Sequence, residues 1–263
     1  MDGRPIGIFD SGVGGLTVAD KVLRLLPDES IIYFGDTARV PYGNKSRETV
    51  TRFSKEIVKF LLGFKVKLVV VACNTASSLS MGALKNSFSV PIVGVIKPGT
   101  EEALKRSKTK RIGVIATEAT ISSNAYKKEI KSLNKNAYVI QKACPLFVPL
   151  AENEWLKGEV TLRIVRKYLQ PVLKQKIDTL ILGCTHYPLL KEAIQKVVGK
   201  NIGLIDSSMA TAGYVRRLLE KKKLSASPGV ARAEFFASDN TGSFEKLAKV
   251  FLRRRIKAKR IVF

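Results

Sequence analysis

Nine short apolar runs, rich in β-branched residues and bounded by Gly, Pro, Asp or Ser, recur along the chain at 6–9, 31–35, 68–72, 91–95, 111–116, 137–141, 179–183, 202–205 and 234–237. Runs of this length and composition predict buried strands. Most are separated by stretches with apolar residues at helical spacing, as in Val50, Phe53, Ile57, Phe60, Leu61 and Phe64. Strand and helix periods in alternation leave few choices beyond a mostly parallel α/β sheet covered by helices on both faces.

The layout is written twice. Ile6-Gly7-Ile8 matches Ile112-Gly113-Val114 at an offset of 106, Val71-Ala72-Cys73-Asn74-Thr75 matches Leu182-Gly183-Cys184-Thr185-His186 at 111, and Val93-Gly94-Val95-Ile96 matches Ile202-Gly203-Leu204-Ile205 at 109. That period is a domain length rather than a solenoid repeat. The expected fold is therefore α/β, two similar parallel-sheet domains related by pseudo-twofold duplication, with the active site between them. The chain is expected to cross over near Lys97-Pro98-Gly99 and to return after Ile205-Asp206-Ser207. The first domain then comprises 1–97 plus 208–263, including the strand at 234–237 and the last helix, and the second comprises 98–207.

Composition bounds the function. With 263 residues, 45% hydrophobic and 26% charged, the chain has ordinary globular character and material for a sizeable core. The N-terminus has neither a basic region nor a hydrophobic segment of signal-peptide length, so secretion is not expected. The longest apolar stretches, 66–73 with a Lys inside and 179–184, fall short of the ~20 residues that span a bilayer, so no membrane segment is expected. Three Cys, at 73, 144 and 184, form no disulfide framework and suit a reducing cytoplasm. A single His excludes a His-rich metal site.

Forty-six Lys and Arg against 22 Asp and Glu give a formal charge of +24, which raises nucleic acid or an anionic substrate as partner. The basic clusters at 105–111, 127–131, 221–223 and 253–260 lack the interleaved aromatics of single-strand binders. They are expected on solvated helix faces.

Ligands of open α/β sheets sit beyond the carboxyl ends of the strands. Cys73 ends one such strand and Cys184 its counterpart, each followed by polar side chains at an expected helix start: Asn74, Thr75 and Ser77, and Thr185. A helix N-terminus lowers a thiol's pKa from ~8.5 and favours the thiolate. The competing reading, a buried structural Cys, is weakened by the symmetric placement. Cys144 has no counterpart and no expected helix start behind it, so it reads as structural. His186 lies two residues after Cys184. Asp10 ends the first strand and opens the loop Ser11-Gly12-Val13-Gly14-Gly15, which is neither Gly-x-Gly-x-x-Gly nor a P-loop, so a small carboxylate suits it better than a nucleotide phosphate.

Two thiols facing one pocket, each with a polar helper, suit removal of a proton from one face of a carbon and return of another to the opposite face. A redox dithiol is the weaker alternative, since no Cys-x-x-Cys is present. An amino acid's α-hydrogen is very weakly acidic, and no pyridoxal-binding signature stands out. Fixed donors must then stabilise the carbanion: backbone amides at the two expected helix starts, with Asn74, Thr75 and Thr185. Closure of two domains would exclude water.

At these motifs the chain resembles the bacterial glutamate racemases of the cofactor-independent aspartate/glutamate racemase superfamily, over about positions 5 to 210. The resemblance rests on Ile6-Gly7-Ile8-Phe9-Asp10-Ser11-Gly12-Val13-Gly14-Gly15-Leu16, Tyr33-Phe34-Gly35-Asp36-Thr37-Ala38-Arg39-Val40-Pro41-Tyr42-Gly43, Val71-Ala72-Cys73-Asn74-Thr75-Ala76-Ser77, Cys144-Pro145-Leu146-Phe147-Val148-Pro149-Leu150 and Gly183-Cys184-Thr185-His186-Tyr187-Pro188. It implies that Cys73 and Cys184 are the acid/base thiols, Cys73 deprotonating D-glutamate and Cys184 L-glutamate, with Asp10 assisting the first and His186 the second. It implies substrate contacts from Asp10, Ser11, Pro41, Tyr42, Gly43, Asn74, Thr75, Thr117, Thr120, Thr185 and His186. Glu152 matches a further acidic residue, although Ala151-Glu152-Asn153-Glu154 departs from the family's usual run.

The resemblance also implies a cytoplasmic homodimer with no metal or organic cofactor that supplies D-glutamate for peptidoglycan. No precursor activation is expected, because the N-terminal extension of precursor-activated members is missing. Aspartate racemisation is the nearest alternative; the Gly183-Cys184-Thr185-His186 motif and the 36–43 loop favour glutamate. The alternative from another class is binding to nucleic acid or a topoisomerase, motivated by the charge and by family members that inhibit DNA gyrase.

Overall fold

The computed structural model describes residues 2–229 and 231–262. In chain order the elements are β1 (Ile6–Asp10), α1 (Leu16–Leu25), β2 (Ile31–Gly35), α2 (Arg47–Leu62), β3 (Leu68–Val71), α3 (Asn74–Ser87), β4 (Ile92–Gly94), α4 (Ile96–Arg106), β5 (Arg111–Ala116), α5 (Glu118–Ser122), α6 (Ala125–Leu133), β6 (Tyr138–Ala143), α7 (Phe147–Glu152), α8 (Glu159–Leu173), β7 (Thr179–Gly183), α9 (Lys191–Val198), β8 (Gly203–Asp206), α10 (Ser207–Lys222), β9 (Ala233–Ala237), α11 (Thr241–Leu252) and β10 (Ala258–Arg260).

The strands form two all-parallel sheets, one ordered β10-β9-β2-β1-β3-β4 and the other β6-β5-β7-β8. The order β2-β1-β3-β4 is repeated as β6-β5-β7-β8, so β1 corresponds to β5 and β3 to β7. Every residue of β1, β2, β3 and β7 is buried, as strands covered on both faces require. Alternate residues feed separate cores: Ile6 and Ile8 of β1 pack with α1, α10 and α11, whereas Phe9 packs with α2 and α3. In the smaller sheet Leu180 and Leu182 face α8 and α9, and Ile181 faces α4 and α6. Helix α2 shows how local sequence sets an element: the Ser46 hydroxyl accepts from the Thr49 amide at 3.2 Å, and Val50, Ser54, Ile57, Val58 and Leu61 form the buried stripe.

Three expectations need correction. The 253–260 cluster is not a helix face, because α11 stops at Leu252, Arg253 adopts a left-handed φ of 55°, and residues 258–260 add β10 to the edge of the larger sheet. Its Ala-Lys-Arg spelling carries no strand signal. The 105–111 cluster runs from the end of α4 through a turn into β5, while 127–131 lies in α6 and 221–223 spans the end of α10. Finally, Cys144 does have a helix behind it: α7 starts at Phe147, whose amide donates to the Cys144 carbonyl at 3.1 Å. Pro145 masked that start, since the residues joining β6 to α7 have no helical apolar period.

Candidate active site

In each sheet the chain winds away in opposite directions from one central gap, between β1 and β3 and between β5 and β7. Such switch points are where ligands bind in open α/β sheets. Asp10 closes β1 and Cys73 follows β3; Thr117 follows β5 and Cys184 follows β7.

Cys73 is the N-cap of α3, and its Sγ accepts from the Ala76 amide at 3.4 Å and donates to the Ser11 hydroxyl at 3.6 Å. Burial pushes this thiol up to about 12, the negative charge of Asp10 adds to the push, and the Ala76 and Ser11 contacts offset only part of it. The expected lowering by the helix start therefore loses to desolvation and a neighbouring carboxylate. Cys184 also acts on Cys73 through its charge, so the two thiols share one electrostatic environment.

Asp10 is completely buried. Its Oδ2 accepts from the Gly12 amide at 3.0 Å and its Oδ1 from the Thr185 hydroxyl at 3.4 Å. Burial raises its pKa against the opposing charge of His186 and the Gly12 and Gly15 amides. The group touching Cys73 is Ser11; Asp10 reaches the thiol through its field.

Cys184 is followed by a 3-10 turn, Tyr187–Leu190, before α9, so the expected α-helix start at Thr185 is displaced. Pro188 and the intervening turn account for the shift. The Cys184 Sγ lies 3.8 Å from His186 Nδ1, and His186 Nε2 lies 3.0 Å from Glu152 Oε1. Burial opposes the imidazolium, yet the hydrogen bonds to Cys184 and Glu152 and their charges outweigh it and lift His186 to about 10. The Phe251 ring meets the imidazole edge-on, with centroids 5.6 Å apart. Phe251 went unread in the sequence because it is one more apolar position on α11.

Several of the remaining side chains bridge the two halves. Thr75 Oγ1 lies 2.9 Å from Thr117 Oγ1 and 3.3 Å from Thr120 Oγ1. Gly43 lies against Thr117, Pro41 is exposed, and buried Tyr42 turns its hydroxyl onto Asp36, which also binds Arg39 and Ser238. Asn74 Oδ1 accepts from Tyr126 of α6 at 2.7 Å, while its buried Nδ2 has no partner among the described residues. Among the described residues no group of three or more His, Cys, Asp and Glu could hold a metal ion. Cys144, buried in the smaller domain's core, uses its carbonyl to accept from Tyr187 at 2.8 Å.

The arrangement holds two thiols in unlike surroundings. A cationic imidazole stands beside Cys184 and a buried carboxylate near Cys73, with orphan and hydroxyl donors between the sheets. It can take a proton with one sulfur and give one with the other.

Comparisons with known proteins agree in direction. Residues 6–215 match the family model described as Asp/Glu/Hydantoin racemase. A glutamate racemase of Geobacter metallireducens is 49% identical over 253 residues, covering 96% of this chain and 94% of that protein. The crystal structure of a Bacillus anthracis glutamate racemase isoform superimposes with a TM-score of 0.97 at 41% identity, covering 99% of this chain and 98% of the other. That of the Francisella tularensis glutamate racemase, in complex with D-glutamate, gives 0.93 at 38% identity, covering 100% and 98%.

Proposed function

The chain belongs to the Asp/Glu/hydantoin racemase family and racemises glutamate, and we propose that it does so with the thiols of Cys73 and Cys184 as its two bases. The observation that carries this mechanism is the placement of the two cysteines after corresponding strands, β3 and β7, each with its own polar partner.

In the L-to-D direction Cys184 as thiolate takes the α-proton, leaving a carbanion, and the Cys73 thiol delivers its proton to the opposite face. The reverse direction exchanges the roles. Holding Cys73 protonated, as burial and Asp10 do, prepares the protein for L-glutamate. His186 lies against the Cys184 sulfur, and Glu152 keeps the imidazole charged and aimed. The carboxylate charge that grows with the carbanion meets Asn74, Thr75, Thr117, Thr120 and Thr185, fixed donors in a site with little water. Ser11, Pro41, Tyr42 and Gly43 complete the walls around the substrate.

The cleft divides a unit of 1–97 plus 208–263 from one of 98–207, a division supported by sheet membership. No helix among the described residues is long and apolar enough to cross a membrane. We place the enzyme in the bacterial cytoplasm as a homodimer that supplies D-glutamate for peptidoglycan; sedimentation would read the assembly. The direct test is circular dichroism of L-glutamate incubated with the purified protein, with and without chelator, beside L-aspartate. Decay of the glutamate signal alone, unaffected by chelator, is the expected result. Preferential decay of the aspartate signal would overturn the substrate.

A further inference from the structure

We propose that Tyr126 is a positioning residue for this reaction: its hydroxyl fixes the Asn74 amide with the nitrogen facing the substrate's α-carboxylate. This rests on the reading that Asn74 binds glutamate. Tyr126 is completely buried on α6, which follows the smaller sheet's first strand, whereas Asn74 is the first residue of α3, next to Cys73. Their 2.7 Å hydrogen bond therefore joins one half of the molecule to the other.

An amide has two ends of nearly equal shape and opposite polarity, so only its partners decide which way it points. The phenolic proton is given to Oδ1, which leaves Nδ2 as the end turned away from Tyr126. That nitrogen is buried and has no partner among the described residues. Buried donors are rarely left unpaired, because desolvation without a hydrogen bond costs stability. A donor kept free beside Cys73 suits an anionic acceptor and repels an ammonium group, so the carboxylate is the complementary part of an amino acid. The same burial raises the phenol's pKa above its ordinary value, so the hydroxyl keeps its proton and acts as a hydrogen-bond donor. Because the bond joins the two halves, the amide is oriented only when they are together. Closure and carboxylate recognition are thereby coupled.

The test is a double-mutant cycle with steady-state kinetics in both directions, beside thermal melts. Tyr126→Phe removes one hydroxyl and frees the amide to turn; it should raise KM for both enantiomers alike, by about fivefold to tenfold, with a smaller change in kcat. Added to Asn74→Ala, the same change should alter KM by less than about twofold, since no amide remains to orient. Asn74→Asp supplies an arm independent of how Tyr126→Phe folds. It keeps an acceptor for the phenol but puts a carboxylate oxygen where the nitrogen stood, so its KM should exceed that of Asn74→Ala. Additive effects in the cycle, a lowered melting temperature with unchanged KM in Tyr126→Phe, or an Asn74→Asp enzyme with KM at or below that of Asn74→Ala would each overturn the inference. Absence of glutamate racemisation in the unaltered protein would instead overturn the underlying reading.

Discussion

His186 Nε2 lies 3.0 Å from Glu152 Oε1, so the chain's single histidine is held between a carboxylate at the end of α7 and the thiol of Cys184. The imidazole is thus fixed in ring orientation and in charge. The hydrogen bond of Glu152 to the histidine puts this carboxylate one residue removed from the thiol.

The charge of His186 is directly observable. Its folded pKa, about 10, is raised above the ordinary 6.5, so the stabilisation is fully present below pH 6.5 and is lost as pH rises through about 10. An NMR titration of the sole imidazole should give a midpoint well above 6.5, and Glu152→Gln or Cys184→Ala should lower it. A midpoint near 6.5 in the unaltered protein would contradict the assignment.

Two bases leave an isotopic signature. If Cys184 takes one proton and Cys73 gives another, D-glutamate formed early in D₂O from protiated L-glutamate should carry deuterium at the α-carbon while remaining L-glutamate stays protiated. Cys73→Ala and Cys184→Ala should each abolish racemisation. Cys144→Ala should turn over almost normally, its thiol lying in the core of the smaller half. Transfer of the original hydrogen into product would argue for a single base.

Asp10 acts on Cys73 through its charge, whereas His186 lies 3.8 Å from the Cys184 sulfur, so Asn at either position should impair the two directions unequally in kcat. The ratio of the two kcat/KM values is set by the equilibrium between enantiomers and must remain unchanged. Equal kcat losses in both directions from both variants would remove the separate roles.

Gly14 has room for nothing larger. A Cβ there would lie 2.4 Å from Thr185 Oγ1 and 2.6 Å from His186 Cε1. Gly14→Ala should displace both side chains, lowering kcat/KM by about a hundredfold while destabilising the fold by only about 1–3 kcal/mol. Wild-type kinetics in this variant would show that the histidine's position does not matter.

The net charge of +24 gives a kinetic expectation. If it steers an anionic substrate, kcat/KM should fall as salt rises and kcat should hardly change, since screening over a Debye length of ~10 Å at 0.1 M acts on encounter. A flat profile would leave the charge to solubility or to a partner.

Much of the fold and half of the site were legible in one dimension. Buried parallel strands, helical stripes and the doubled order of Gly7 and Gly113, Cys73 and Cys184 are local patterns, because strand burial and helix amphipathicity are written residue by residue. β10 was not legible: Ala258-Lys259-Arg260 becomes a strand only because β9 offers an open edge. The ionisation of Cys73 was misjudged for a similar reason. A helix start is a local feature, but the Asp10 charge comes from the end of another strand, and the burial from packing of β1, α2 and β3 around the thiol.

The sequence by itself determined the α/β class, the repeat and which side chains end each strand, since these depend on periodicity and on covalent neighbours. Tertiary structure alone decided what those side chains meet: Glu152 behind His186, Phe251 against its ring, Tyr126 on Asn74, Asp36 beneath Tyr42. Charge states, hydrogen-bond direction and an unpaired donor are properties of a desolvated space between two sheets. That space exists only once both have folded and met.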